Sequence, residues 1–160
     1  MLLYYGKDDK MRILTKVECG LIIMTDIAVN SVNGEAVTLY NIASRQNISI
    51  KYLEQIVALL RQNALLRSIK GPHGGYLLSR NPEKISVKEI IDAIDITVIS
   101  NDISEIENKN SDINEVMNEL IWDKIEGYLI SFTSSLTLKE LVNSYKQYVS
   151  ENKQELMYYI

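Results

Sequence analysis

The stretch Gly71-Pro72-His73-Gly74-Gly75 sets the chain's single histidine among three glycines and a proline, with Lys70 on its rim. Four kinds of chemistry suit such a loop: a phosphate cradle, a metal loop, a tight hairpin, or a wing laid against nucleic acid. A Walker loop needs Gly-Lys-Ser/Thr opening a helix and a dinucleotide loop needs G-x-G-x-x-G; neither is written here. His73 has no nearby Cys, His or paired carboxylate, so no metal set forms around it. A Ser/His/Asp arrangement is also missing, and one histidine leaves little acid–base capacity at neutral pH, which argues against an enzyme. The one cysteine, Cys19, excludes an internal disulfide and a multi-cysteine metal site. Cys19 reads either as a small buried apolar residue or as a thiol sensor.

The elements around the loop narrow the choice. Val17, Leu21, Met24 and Ala28 recur at helical spacing from Thr15 to about Val32, and Asn33-Gly34 ends that helix. Thr38 can cap a short helix over 39–46, with Ile42 and Ala43 turned inward. Ser49 is a second N-cap, with Ile48 and Leu53 placed as a hydrophobic staple. The helix behind it, to about Asn63, gathers Leu53, Ile56, Val57 and Leu60 on one face, and Lys51, Glu54, Gln55, Ala58 and Gln62 on the other. Two helices joined by so short a turn make a helix-turn-helix. Residues 65–69 and 76–78 then read as two strands, with 70–75 as the turn between them. A hairpin directly behind such a helix is a wing.

Further on, Ser86-Val87-Lys88-Glu89 is a capping box that starts a helix to about Ile94, with Ile85 and Ile90 as its staple. Residues 100–112 are polar and acidic and suggest a mobile connector. Ile113, Val116, Leu120, Ile125, Leu129 and Phe132 lie along a wide apolar stripe. The simplest reading of that stripe is a dimerisation helix, and packing back on its own domain is the alternative. Thr137-Leu138-Lys139-Glu140 is another capping box, for a last helix to about Val149, and residues 151–155 read as a polar, linker-like lead into the tail. The organisation expected is an extension over 1–10, a DNA-binding domain over 11–98, a connector over 99–112, the dimer and C-terminal helices over 113–149, and a tail over 150–160. The fold class is mainly α with a small β-hairpin wing.

Composition agrees with a soluble globular chain, 46% hydrophobic and 24% charged, and no apolar run is long enough to span a membrane. A cytoplasmic location is expected. Charge divides unevenly: residues 1–94 carry 12 Lys/Arg against 9 Asp/Glu, while residues 95–160 carry 5 against 12. Within 45–70, Arg45, Lys51, Arg61, Arg67 and Lys70 face Glu54 alone. That imbalance suggests a polyanion partner, although an ordinary solvated face would look the same.

From Met11 to about Val142 the chain resembles the Rrf2 family of bacterial winged helix-turn-helix regulators. The resemblance is carried by Thr15-Lys16, by Tyr52-Leu53-Glu54-Gln55 with Gly71-x-x-Gly74-Gly75-Tyr76, and by Trp122, Thr137-Leu138 and Leu141-Val142. It implies a dimeric, sequence-specific DNA-binding transcriptional regulator whose long helix crosses to a partner, which agrees with Leu120, Ile125, Leu129 and Phe132 of the apolar stripe as dimer-interface residues. Iron–sulfur members place three cysteines ahead of the dimer helix, where residues 95–121 have none, so a cysteine-ligated cluster is not available. No cofactor is expected. One branch without those cysteines, the repressors of cysteine metabolism in Gram-positive bacteria, resembles this chain in its apolar-aromatic tail, here Tyr158-Tyr159-Ile160. That likeness implies cysteine synthase as a partner engaged through the tail, with packing on the dimer as the alternative. A clusterless redox sensor working through Cys19 is the other reading within the family.

A recognition helix offers polar groups from its N-terminal half to the major groove. Gln55 can pair an adenine edge and Glu54 can accept from cytosine N4. Lys51 and Tyr52 stand with Glu54 and Gln55 in that half, Ser49 and Tyr52 hydroxyls suit phosphates, and Arg61 opens a basic run to Lys70. Glu54 repels phosphate, which makes it a selectivity residue or else a plain solubilising carboxylate. Lys70 and His73 can reach the minor groove or its phosphates from the wing. Thr15 and Lys16 are backbone contacts by family likeness.

Overall fold

The computed structural model describes residues 12–99 and 112–157. Helix α1 (Arg12–Asn30) is the central post, burying Val17, Cys19, Ile23, Met24 and Ile27. It begins three residues earlier than its apolar period suggests, so Thr15 and Lys16 lie within its opening turns, both exposed. Gly20 lets the segment around Ile94 come close, since a Cβ there would overlap the Ile94 side chain.

Helices α2 (Leu39–Gln46) and α3 (Ile50–Gln62) form the helix-turn-helix. Each starts on a side-chain cap. Thr38 Oγ1 accepts the Asn41 N–H at 3.1 Å, and Ser49 Oγ accepts the Tyr52 N–H at 3.3 Å, satisfying donors the first turn leaves unpaired. Between them Asn47 takes the left-handed conformation (φ 54°) that makes the turn tight. Leu53, Ile56, Val57 and Leu60 are buried to 1% exposure or less. Each contributes on the order of 1.5–3 kcal/mol to holding α3 against the core.

Strands β1 (Leu66–Ile69) and β2 (Gly75–Leu78) pair antiparallel, Leu66 opposite Leu78 and Ile69 opposite Gly75. A third, one-residue rung is invisible in the sequence: Val37 N donates to Tyr76 O at 2.9 Å and Tyr76 N to Val37 O at 2.8 Å. Helix α4 (Val87–Ile94) opens on the full capping box of Ser86 and Glu89 and closes the domain's core with Ile90, Ile91 and Ile94. Ile99, assigned above to the connector, is buried in that core. Residues 100–111 lie outside the described residues, and Asp112, also assigned to the connector, opens the next helix.

The long stripe-bearing helix is α5 (Asp112–Met117), a π turn (Asn118–Trp122) and α6 (Asp123–Ser135), leading to α7 (Leu138–Met157). The α6–α7 corner is pinned to the start of α4: Val87 N donates to Leu136 O and Leu138 N to Ile85 O, both at 2.8 Å. Thr137 and Glu140 form the expected box, and Leu138 is fully buried. The lead into the tail needs correction, because residues 151–157 continue α7 as helix rather than linker.

Candidate nucleic-acid interface

The outward side of α3 holds Lys51, Glu54, Gln55, Ala58 and Gln62, all exposed, while its opposite side is fixed in the core. Ser49 and Lys51 stand at its N-terminal end, where unpaired N–H groups and the helix dipole favour phosphate. Arg61 is exposed in the last turn of α3.

Tyr52 differs from its neighbours. Its ring is half-buried against the core cluster, and burial, with the Cys19 sulfur nearby, raises its phenol above the ordinary range. Cys19 itself is only 4% exposed. Burial, with Glu18 adding, pushes its thiol up to about 11, so it stays protonated at neutral pH.

Lys70 and His73 are exposed at the wing tip, and Arg67 points outward from β1. Gly74 N closes the tip on Gly71 O at 2.9 Å. The glycines serve the chain's own backbone: a Cβ on Gly75 would lie 2.6 Å from Val37 O, and one on Gly74 2.6 Å from Ile69 O. Between wing and α1–α2 loop lies a recess of about 550 Å³ that takes in Thr38, Arg67 and His73.

Arg45 leaves the basic group counted from the sequence. It is committed to Asp26, a carboxylate in the wall of α1 that also receives Gln46 Nε2 at 2.8 Å. A lone acid inside the run Ile23-Met24-Thr25-Asp26-Ile27 was the available signal, since a buried carboxylate needs a partner. Lys16 sits near Asp95, whose carboxyl is held below its ordinary value by Thr97 hydrogen bonds first and by Lys16 charge last. Tyr158, Tyr159 and Ile160 lie outside the described residues.

A capped two-helix motif, an exposed polar row on its second helix and a hairpin beside it define a winged helix-turn-helix protein. The chain belongs to the Rrf2 family, iron-dependent transcriptional regulators, whose pattern it matches over residues 13–144. It is 37% identical to the HTH-type transcriptional regulator IscR of Escherichia coli K12, over 84% of this chain and 82% of that one. Among solved structures it is similar to CymR, the global cysteine regulator of B. subtilis, with TM-score 0.69 and 32% identity over 81% of this chain and 95% of that one. T. potens IscR gives TM-score 0.63 and 31% identity, over 81% and 85%. These relatives are transcriptional regulators rather than enzymes, and so is this chain. No described helix is long and apolar enough to cross a membrane.

An iron-dependent regulator needs a set of side chains able to hold iron. No group of three His, Cys, Asp or Glu among the described residues is placed to hold a metal. The one cysteine is buried in α1 as a protonated thiol. A cysteine-ligated cluster does not fit these residues.

Proposed function

We propose that the protein is a homodimeric, sequence-specific repressor of cysteine and sulfur metabolism genes that works without a metal cluster. The observation that carries the reading is the exposed row Lys51, Glu54 and Gln55 on a helix rigidly seated beside a cationic wing. Gln55 and Glu54 would read base edges, while Ser49, Lys51, Tyr52, Arg61, Lys70 and His73 would hold the backbone, with Thr15 and Lys16 on the flank. Likeness to a global cysteine regulator supports the metabolic assignment, and the unsuitable donor set favours it over an iron–sulfur sensor.

Dimer formation is supported by the apolar row on α5 and α6, where Leu120 (57%), Ile125 (40%), Leu129 (43%) and Phe132 (63%) remain exposed in the single chain. Cysteine synthase is the proposed partner, engaged by Tyr158, Tyr159 and Ile160. The buried, high-pKa Cys19 disfavours the redox alternative.

One experiment tests the whole reading: sequencing genomic fragments retained by the purified full-length protein, with and without cysteine synthase. Enrichment of sulfur-gene promoters, altered by the synthase, is expected. Fragments without a shared sequence would defeat the specific-regulator reading, and a shared site indifferent to the synthase would remove that partner.

A further inference from the structure

We propose that the π turn at Asn118–Trp122 is a phase corrector that brings two halves of the apolar row into one straight seam for a second copy of this chain. The inference rests on the dimer reading above and deepens it. An α-helix advances about 100° per residue, so apolar positions spaced by four drift roughly 40° at each step. Along an unbroken α-helix Ile113 and Phe132 would end about 100° apart around the axis, on different faces. The helix is not unbroken: the Asp123 N–H donates to Asn118 O, five residues back. Such a turn accommodates one residue more than an α turn and sets the following residues back by about 100°. With that correction Ile113, Leu120, Ile125 and Phe132 share one line, and all four are exposed, at 72%, 57%, 40% and 63%.

The opposite bookkeeping agrees. Trp122 is half-buried, while on α6, the helix that meets α4, Ile130 packs against the core cluster and Thr133 is buried. The same correction puts Thr133 about 100° and Ile130 about 160° from the seam, so one helix serves two neighbours on different faces. The occupant argued for is a second copy. Nine exposed apolar residues from Ile113 to Phe132 present on the order of 1,000 Å² per protomer, the scale of the roughly 800 Å² that a standard interface takes from each partner. The π turn also lies at the middle of the row, where a two-fold axis between antiparallel copies would cross it.

Deleting exposed Glu119 should remove the bulge and leave a regular α-helix with the seam still aligned. Inserting one alanine between Asn118 and Glu119 should rotate α6 out of line. Sedimentation of the full chain is expected to show a dissociation constant within about threefold of wild type for the deletion and at least about tenfold weaker for the insertion. Equal weakening by both changes, or a tolerated insertion with a damaging deletion, would overturn the phase corrector while leaving the dimer intact. A deletion variant that fails to fold would overturn it as well, because a regular turn should be the more stable one; deleting Asn118 instead repeats the test. A wild-type monomer at micromolar concentration would defeat the dimer reading itself, and the seam's occupant with it.

Discussion

Arg45 holds Asp26 by two points, with Nη2 2.6 Å from Oδ1 and Nε 3.0 Å from Oδ2. The Asp26 side chain is 2% exposed and that of Arg45 37%, so the carboxylate is the member that depends on the pair. Arg45→Ala should therefore destabilise the domain by about 2–4 kcal/mol, since a buried charge loses most of its compensation. Asp26→Ala should cost less, because the freed guanidinium can turn to water. Urea unfolding of both variants checks the order, and a harmless Arg45→Ala would show that Gln46 alone suffices.

The division of labour proposed for α3 and the wing can be tested residue by residue. Glu54→Ala should relax base preference by roughly 1–3 kcal/mol at one operator position with little change elsewhere. Lys70→Ala should weaken all sequences evenly and lower the salt slope by about one. Competition binding on a panel of operator variants, at two salt concentrations, distinguishes the profiles; identical profiles would contradict the assignment.

Cys19 makes stability depend on alkali. Its folded pKa, about 11, exceeds the ordinary 9.0, so the folded state holds the proton more tightly. That contribution is complete below pH 9 and is lost as pH rises from about 9 to about 11, on the order of 2–3 kcal/mol in all. Cys19→Ala should flatten this part of the curve relative to wild type. Denaturant midpoints at pH 8 and pH 10.5 measure the difference, and parallel curves would place the thiol in a wetter site than its burial indicates.

Gly75→Ala should displace the wing. Its Cβ would press on the Val37 carbonyl at 2.6 Å, where backbone cannot yield cheaply. A loss of about 1–3 kcal/mol is expected, together with weaker DNA binding. Unchanged binding in a folded Gly75→Ala protein would make the Val37–Tyr76 rung dispensable.

Local chemistry was the legible part of the chain. Thr38, Ser49, Ser86 and Thr137 announce their helices because a cap is a contact within three residues, written in the sequence itself. The buried side of α3 was legible for the same reason: Leu53, Ile56, Val57 and Leu60 repeat at helical spacing. Contacts across the fold were not. Asp26 and Arg45 meet only after α2 has folded back on α1, and the Val37 rung joins segments that carry no mark of each other. The π turn escapes any fixed period, since its effect is to break one. The length of α7 was missed because a solvated helix and a polar linker share a composition, as 151–155 illustrates. On the candidate interface, Lys51, Glu54 and Gln55 were found as outward residues, while the inward lean of Tyr52 depended on space beside Cys19 that only the packing defines.

The Val37–Tyr76 rung has a mechanical meaning. It clamps the wing to the loop that leads into α2, while Asn63 Nδ2 ties the end of α3 to Ala93 O at 3.2 Å. Wing tip and recognition helix are thus jaws of one stiff caliper, with no joint between them. In a dimer, a signal that changed operator choice would have little purchase on the shape of either jaw. Its purchase is on the distance between two calipers, which the helix row from Ile113 to Phe132 would set.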